Sequence, residues 1–216
     1  MKKLIIFDLD GTLLNTIADL GAACNHALAQ GGYPLHDFAE YPRLVGNGVN
    51  KLIERALPED VRTEAEVLRL RPAFVEYYNL HSAVHTRPYD GITELLQALH
   101  KQGWLLAVAS NKYQQATEHL VNHYFPGLFD IVLGEREGCS RKPDPQIVED
   151  ILSSLDVDKQ TDRVVYVGDS DVDMITARNA DIKAIACTWG FCEQGKLQQY
   201  PHWKMVSFPR QVLDVL

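Results

Sequence analysis

No stretch of this chain stays apolar for long. The N-terminus places two lysines before Leu4-Ile5-Ile6-Phe7 and so begins like a secretory signal, but Asp8 ends the run after four residues. That is too short for a secretory core and far too short to span a bilayer, so a buried first strand is expected and no membrane partner. Cysteine is scarce: Cys24, Cys139, Cys187 and Cys192 are scattered, with no CxxC pair. Such spacing supports neither a disulfide framework nor a zinc site, and fits reduced thiols in a cytoplasmic protein. Positive charge is in short supply as well, with 21 Lys and Arg against 29 Asp and Glu and a net charge of -8. Phosphate backbones demand clustered Lys and Arg, and no basic run interleaved with aromatics occurs, so nucleic acid is not expected as a partner. A pocket can oppose the global sign, which leaves a small anionic substrate open.

What is present suits a globular chain of 216 residues, 46% hydrophobic and 23% charged. Short apolar, β-branched runs predict strands at residues 4–7, 105–109, 131–133, 164–167 and 184–187. Helical spacing falls between the later ones, at residues 92–102, 114–123, 146–154 and 172–179. Strands too apolar to have a wet face, alternating with helices, predict an α/β fold: a Rossmann-like parallel sheet core with helices on both faces. Residues 16–85 break the alternation. Ile17, Leu20, Ala23, Ala27 and Leu28, then Leu52, Ile53, Ala56 and Leu57, keep helical spacing, and Pro42, Pro58 and Pro72 punctuate the stretch. A helical insert over 16–85 is therefore expected, within a core made of 1–15 and 86–216. The turn-forming Pro88-Tyr89-Asp90-Gly91 marks the return.

Ligands of parallel α/β sheets sit beyond the carboxyl ends of the strands, and four groups of polar residues fall there. Asp8-Leu9-Asp10-Gly11-Thr12 follows the first strand. Side chains two apart project to the same side, so both carboxylates can face the crevice, where a divalent cation would relieve their repulsion. Thr12 can hydrogen-bond a carboxylate and fix its direction. Ser110-Asn111 follows the second strand and offers a hydroxyl and an amide to a phosphoryl oxygen; alone it is equally an ordinary helix N-cap. Lys142 lies in Arg141-Lys142-Pro143-Asp144-Pro145, where the prolines restrict the chain that carries the ammonium. Asp169, in Gly168-Asp169-Ser170-Asp171-Val172-Asp173, is placed for a hard cation, and Asp173 lies one helical turn on. Each group has a bland alternative, but four in this order at four strand ends point to one site.

These four groups resemble the signature motifs of the haloacid dehalogenase superfamily, in order and in spacing, along nearly the whole chain. Within it the chain looks like a phosphoglycolate phosphatase-type enzyme, through Val45-Gly46-Asn47-Gly48, Leu52-Ile53-Glu54-Arg55-Ala56-Leu57, Ser110-Asn111-Lys112 and Thr188-Trp189-Gly190. The insert resembles that superfamily's α-helical cap. The resemblance implies a Mg²⁺-dependent phosphomonoester hydrolase acting through an aspartyl-phosphate on a small phosphorylated metabolite such as 2-phosphoglycolate. Asp8 would be the nucleophile and Asp10 the general acid and base. Ser110, Asn111 and Lys142 would hold phosphoryl oxygens. Asp8, the carbonyl of Asp10 and Asp169 would hold the metal, with Asp173 anchoring its water. Asp10 disfavours the dehalogenases and phosphonate hydrolases of the superfamily, which lack an acid there; phosphomutases and pyrophosphatases remain open. A non-catalytic relative would have lost a nucleophile or metal ligand, and none is lost. Asn15 stands where many relatives carry Asp, and residues 191–206 look less like the family. In the insert, Asn47 lies in a glycine-flanked loop, and Lys51 and Arg55, four apart on a predicted helix, are expected to present one cationic face to a substrate carboxylate.

Overall fold

Leu4, Ile5, Ile6 and Phe7 have no exposed surface, so both faces of the first strand are covered and its residues read as a continuous apolar run. The computed structural model describes residues 1–192 and 194–216. In chain order its elements are β1 (Lys3–Phe7), β2 (Leu14–Asn15), α1 (Ile17–Gly31), α2 (Tyr41–Leu44), α3 (Gly48–Ala56), α4 (Glu64–His81) and β3 (Arg87–Pro88). Then follow α5 (Ile92–Lys101), β4 (Leu105–Tyr113), α6 (Gln114–Tyr124), β5 (Ile131–Glu135), α7 (Gln146–Ser154), β6 (Arg163–Gly168), α8 (Asp171–Asn179), β7 (Lys183–Cys187), α9 (Gln194–Leu197), β8 (Lys204–Val206) and α10 (Gln211–Val215). The chain divides into two compact units, Met1–Asn15 with Pro88–Leu216, and Thr16–Arg87.

The first unit is built on a six-stranded sheet of order β5-β4-β1-β6-β7-β8, with every described pairing parallel. Successive strands step outward from β1 through β4 to β5, then cross to β6 and step outward the other way. The order reverses beside β1, and a crevice opens at such a switch point. On one face Leu4, Ile6, Ala107, Tyr166 and Ala186 pack with Ile147, Val148 and Ile151 of α7 and Met174 and Ala177 of α8. Helix α6 lies against β4 and β5. Two features exceed the sequence expectation. β4 runs on to Tyr113, four residues past the apolar run, because its polar end is also buried or half-buried. β8 is a sixth strand of three residues with Lys204 exposed; a short edge strand with one wet end leaves no pattern to read.

The second unit, taken by itself, is helical. α1 packs along α4, and α3 also packs on α4. Leu20, Ala23, Cys24, Ala27 and Leu28 line the buried side of α1, and Val67, Leu70, Phe74 and Tyr78 that of α4. Pro72 does not end a helix but lies inside α4; the buried stripe on either side holds the helix together through the missing N–H. The ends of the unit are joined by Asp19, which is buried. Its carboxylate accepts from the backbone N–H groups of His85 and Thr86 and from the Thr86 hydroxyl, at 2.8 to 3.0 Å.

Candidate active site

Register decides which residues meet at the switch point. Phe7 is level with Val108 of β4 and Val167 of β6. One residue further on, Asp8, Ala109 and Gly168 come into line, followed at once by Ser110 and Asp169. Asp8 is anchored there by its backbone N–H, which donates to the Val167 carbonyl at 2.9 Å. After it the chain turns tightly: Leu13 and Leu14 both donate to the carbonyl of Leu9, and Gly11 takes φ +90°. That conformation suits glycine.

Lys142 reaches this point from the loop before α7. Its ammonium donates to Asp8 Oδ1 at 2.8 Å, to Asp173 Oδ1 at 2.7 Å, to the Ala109 carbonyl at 2.8 Å and to the Tyr166 hydroxyl at 2.9 Å. Three protons are shared among four acceptors, so the group is fully engaged without water. Burial opposes its charge, yet Asp173 and then Asp8 outweigh that and hold the ammonium well above the usual lysine range. Asp8 behaves differently. Burial, then the charge of Asp173, push its carboxyl well above the usual range, with Lys142 pulling it back.

Asp169 opens the turn into α8. Thr12 Oγ1 donates to its Oδ1 at 3.0 Å, and the backbone N–H of Phe191 to its Oδ2 at 2.8 Å. A Cβ on Gly11 would stand 2.4 Å from Asp169 Oδ2, and one on Gly190 2.3 Å from the same oxygen. Only glycines let the two loops close on this side chain. Burial first, and then Asp173, push its carboxyl up to about 7. Asp173 closes a capping box on α8 with Ser170 while also holding Lys142.

Asp8, Asp169 and Asp173 each offer a carboxylate oxygen within 4.8 Å of the others. With Asp10 the site has four carboxylates, against the two ammonium groups of Lys142 and Lys112. The formal excess of two negative charges, the hard oxygen donors and the glycine cradle around Asp169 fit one divalent cation. The carboxylate of Asp10 stands apart from that acidic cluster: its Oδ2 is 3.1 Å from the ammonium of Lys112.

The sequence matches the haloacid dehalogenase-like hydrolases over residues 5–187, from β1 to the end of β7. The chain belongs to that family. A phosphoglycolate phosphatase of Cereibacter sphaeroides is 33% identical over 219 residues, with 98% of this chain and 96% of the relative covered. An N-acetylmuramic acid 6-phosphate phosphatase of Pseudomonas aeruginosa is likewise 33% identical over 219 residues, with 99% and 94% covered. The crystal structure of a provisionally named phosphoglycolate phosphatase from Lactobacillus delbrueckii superposes with a TM-score of 0.91 at 35% identity, covering 100% of this chain and 98% of that one. The chain is a phosphatase of the family.

Not every residue expected in this hydrolase's site is free for the work expected of it. Ser110 is buried beside Asp8, its Oγ accepting from the Lys112 N–H at 3.2 Å. The Asn111 side chain, expected to hold a phosphoryl oxygen, is spent elsewhere: Nδ2 donates to the Lys142 carbonyl at 3.0 Å and Oδ1 accepts from the Lys142 N–H at 2.9 Å. It aims the Lys142 loop instead. In the helical unit, Lys51 and Arg55 do not present one cationic face. Arg55 Nη1 donates to the carbonyls of Leu44, Val45 and Gly46 at 3.0 to 3.1 Å, and Lys51 pairs with Glu54 at 2.8 Å. The carbonyls at the end of α2 and in the loop after it draw the guanidinium in, which four-residue spacing cannot reveal. Asn47 sits in that loop at φ +65°, with a buried side-chain oxygen that has no partner among the described residues. Lys112, Tyr166 and Trp189 lay outside the expected set. Trp189 Nε1 donates to the Thr12 carbonyl at 2.9 Å and so ties the loop after β7 to the loop after β1. Lys112 gave no local signal, because the sequence pattern ends the strand at residue 109 and the part of β4 that carries it reads as loop.

Proposed function

We propose that this phosphatase hydrolyses a small phosphomonoester in two steps, with Asp8 as nucleophile and Asp10 as general acid and base. The arrangement that carries the reading is the acidic cluster of Asp8, Asp169 and Asp173, with Lys142 2.8 Å from Asp8 Oδ1 at the switch point of the sheet. In the first step a carboxylate oxygen of Asp8 attacks phosphorus and the bond to the leaving oxygen breaks. Asp10 gives that oxygen a proton and the alcohol departs, leaving an aspartyl-phosphate. In the second step Asp10 takes a proton from the attacking water, the bond from Asp8 to phosphorus breaks, and inorganic phosphate leaves. Lys142, the Ser110 hydroxyl and the backbone N–H of Asn111 serve the equatorial phosphoryl oxygens, where charge builds up. Asp8, the carbonyl of Asp10 and Asp169 would hold Mg²⁺, with Asp173 beside them, and the cation would supply the charge that lets two anions meet.

For the substrate, we propose a phosphomonoester that also carries a carboxylate, with 2-phosphoglycolate the first candidate. The two relatives at 33% identity are named for different phosphates, but glycolate and muramic acid both bear a carboxylate. The test is a panel of phosphorylated metabolites with Mg²⁺, read by release of inorganic phosphate. Turnover of carboxylated esters at least about tenfold above neutral sugar phosphates in kcat/KM is expected, equivalent to about 1.4 kcal/mol. Equal rates on both classes would remove the carboxylate from the proposal. No phosphate release from any monoester without an activator would remove the hydrolase reading.

A further inference from the structure

The resting site holds its two working carboxylates by two separate ammonium groups, Lys142 on Asp8 and Lys112 on Asp10. Lys112 lies where β4 departs from regular pairing, between the Ala109–Leu133 and Tyr113–Glu135 pairs. Such an irregularity re-aims side chains at a strand end. Its backbone is pinned on each side. The N–H donates to Ser110 Oγ at 3.2 Å, and the carbonyl accepts from Thr117 Oγ1 at 3.0 Å. On the neighbouring strand β5 stands Gly134, where a Cβ would come within 2.5 Å of the Lys112 carbonyl oxygen, so the two strands pack tightly there. The Lys112 side chain is 4% exposed and that of Asp10 18%. The carboxylate is accessible, therefore, while the ammonium holding it is not.

Resting on the general-acid reading of Asp10, we propose that Lys112 is a positioning residue. Its ammonium, 3.1 Å from Asp10 Oδ2, holds that carboxyl in the orientation from which it exchanges a proton with leaving group and water. A carboxyl without a charged partner can rotate; one held in an ion pair by a dry, pinned lysine keeps one orientation. The proton inventory balances at Asp10: its carboxyl gives a proton to the departing oxygen as the ester P–O bond breaks, and regains one from water as the bond from phosphorus to Asp8 breaks. Lys112 keeps its own protons throughout.

The test is a double-mutant cycle of Lys112→Met and Asp10→Asn, with Lys112→Arg as the variant that keeps the charge. Two substrates are compared: the fastest alkyl ester of the panel, and p-nitrophenyl phosphate, whose leaving group barely needs a proton. Asp10→Asn alone tests the parent reading and is expected to slow the alkyl ester far more than the aryl ester. An equal loss on both would overturn the general-acid reading, and the proposal with it. Given that split, Lys112→Met is expected to lower kcat on the alkyl ester by about tenfold to a hundredfold. KM should stay within about twofold and p-nitrophenyl phosphate should suffer less. Lys112→Arg should recover part of the loss. In the Asp10→Asn background, Lys112→Met should then cost nothing further. Equal losses on both substrates, full additivity in the double variant, or an effect confined to KM for carboxylated esters would each overturn the proposal. The last result would make Lys112 a substrate contact instead. A Mg²⁺-induced rise in Tm, measured on every variant, separates these outcomes from a collapsed fold.

Discussion

Asp169 offers a test of the metal site that needs no substrate. Its carboxyl has an ordinary value of 3.8 and is pushed up to about 7 in the fold, by burial and by Asp173. With the folded value above the unfolded one, the folded protein binds the extra proton between those two pH values. The associated stability is therefore present in full below about pH 4 and lost as pH rises through about 7. The difference of about three units corresponds to something on the order of 4 kcal/mol. In a chain of this size each kcal/mol moves Tm by about 2–4 °C. A divalent cation neutralises the same carboxylate and competes with the proton, so its stabilising effect should grow with pH. Calorimetry with excess EDTA or with Mg²⁺, at pH 5, 6, 7 and 8, should show the EDTA-treated protein losing Tm as pH rises. The increment from Mg²⁺ should be small at pH 5 and largest at pH 8. Asp169→Asn should flatten both trends. A Mg²⁺ increment that does not change with pH, or an unaltered pH slope in Asp169→Asn, would refute the assignment of that carboxylate to the cation.

Two further perturbations probe the scaffold. Gly190→Ala places a methyl group 2.3 Å from Asp169 Oδ2, on backbone that is not left-handed, so the clash falls on Asp169. The Mg²⁺ concentration for half-maximal activity should rise by about tenfold, roughly 1.4 kcal/mol, and an unchanged Mg²⁺ dependence would mean that the loops relax freely. Asp19→Asn turns a buried acceptor of three donors into a group that also donates, and should cost about 2–3 kcal/mol in urea unfolding. A loss below about 0.5 kcal/mol would show that the staple between the ends of the helical unit is dispensable.

How far the site could be read ahead depended on burial and on distance along the chain. β1 declared itself because all four of its apolar residues are buried, and Asp8 declared itself by ending the run. The buried apolar runs of β4 and β6 gave the same signal at Ser110 and Asp169. The extension of β4 over Asn111, Lys112 and Tyr113 was invisible, since polar residues there look like loop, although Lys112 is buried by its partners. Residue type is also silent on which partner a side chain will take. Asn111 spends both ends of its amide on the backbone of Lys142, 31 residues away, and Arg55 turns back on the loop before its own helix. Tyr166 reads only as a β6 core residue until Lys142 arrives from a distant loop. The tie from Trp189 to the loop after β1 spans 177 residues, a pairing that fold geometry creates and no local pattern encodes.

The central claim is a phosphoryl group carried covalently by Asp8. Rapid acid quench of the enzyme turning over its best panel substrate with Mg²⁺, followed by peptide mass analysis, tests it most directly. The peptide containing Asp8 should gain the mass of one phosphoryl group, and hydroxylamine should remove it, as expected of an acyl phosphate. Asp8→Asn should show neither the adduct nor turnover. A labelled peptide lacking Asp8, or steady turnover by Asp8→Asn, would contradict the account.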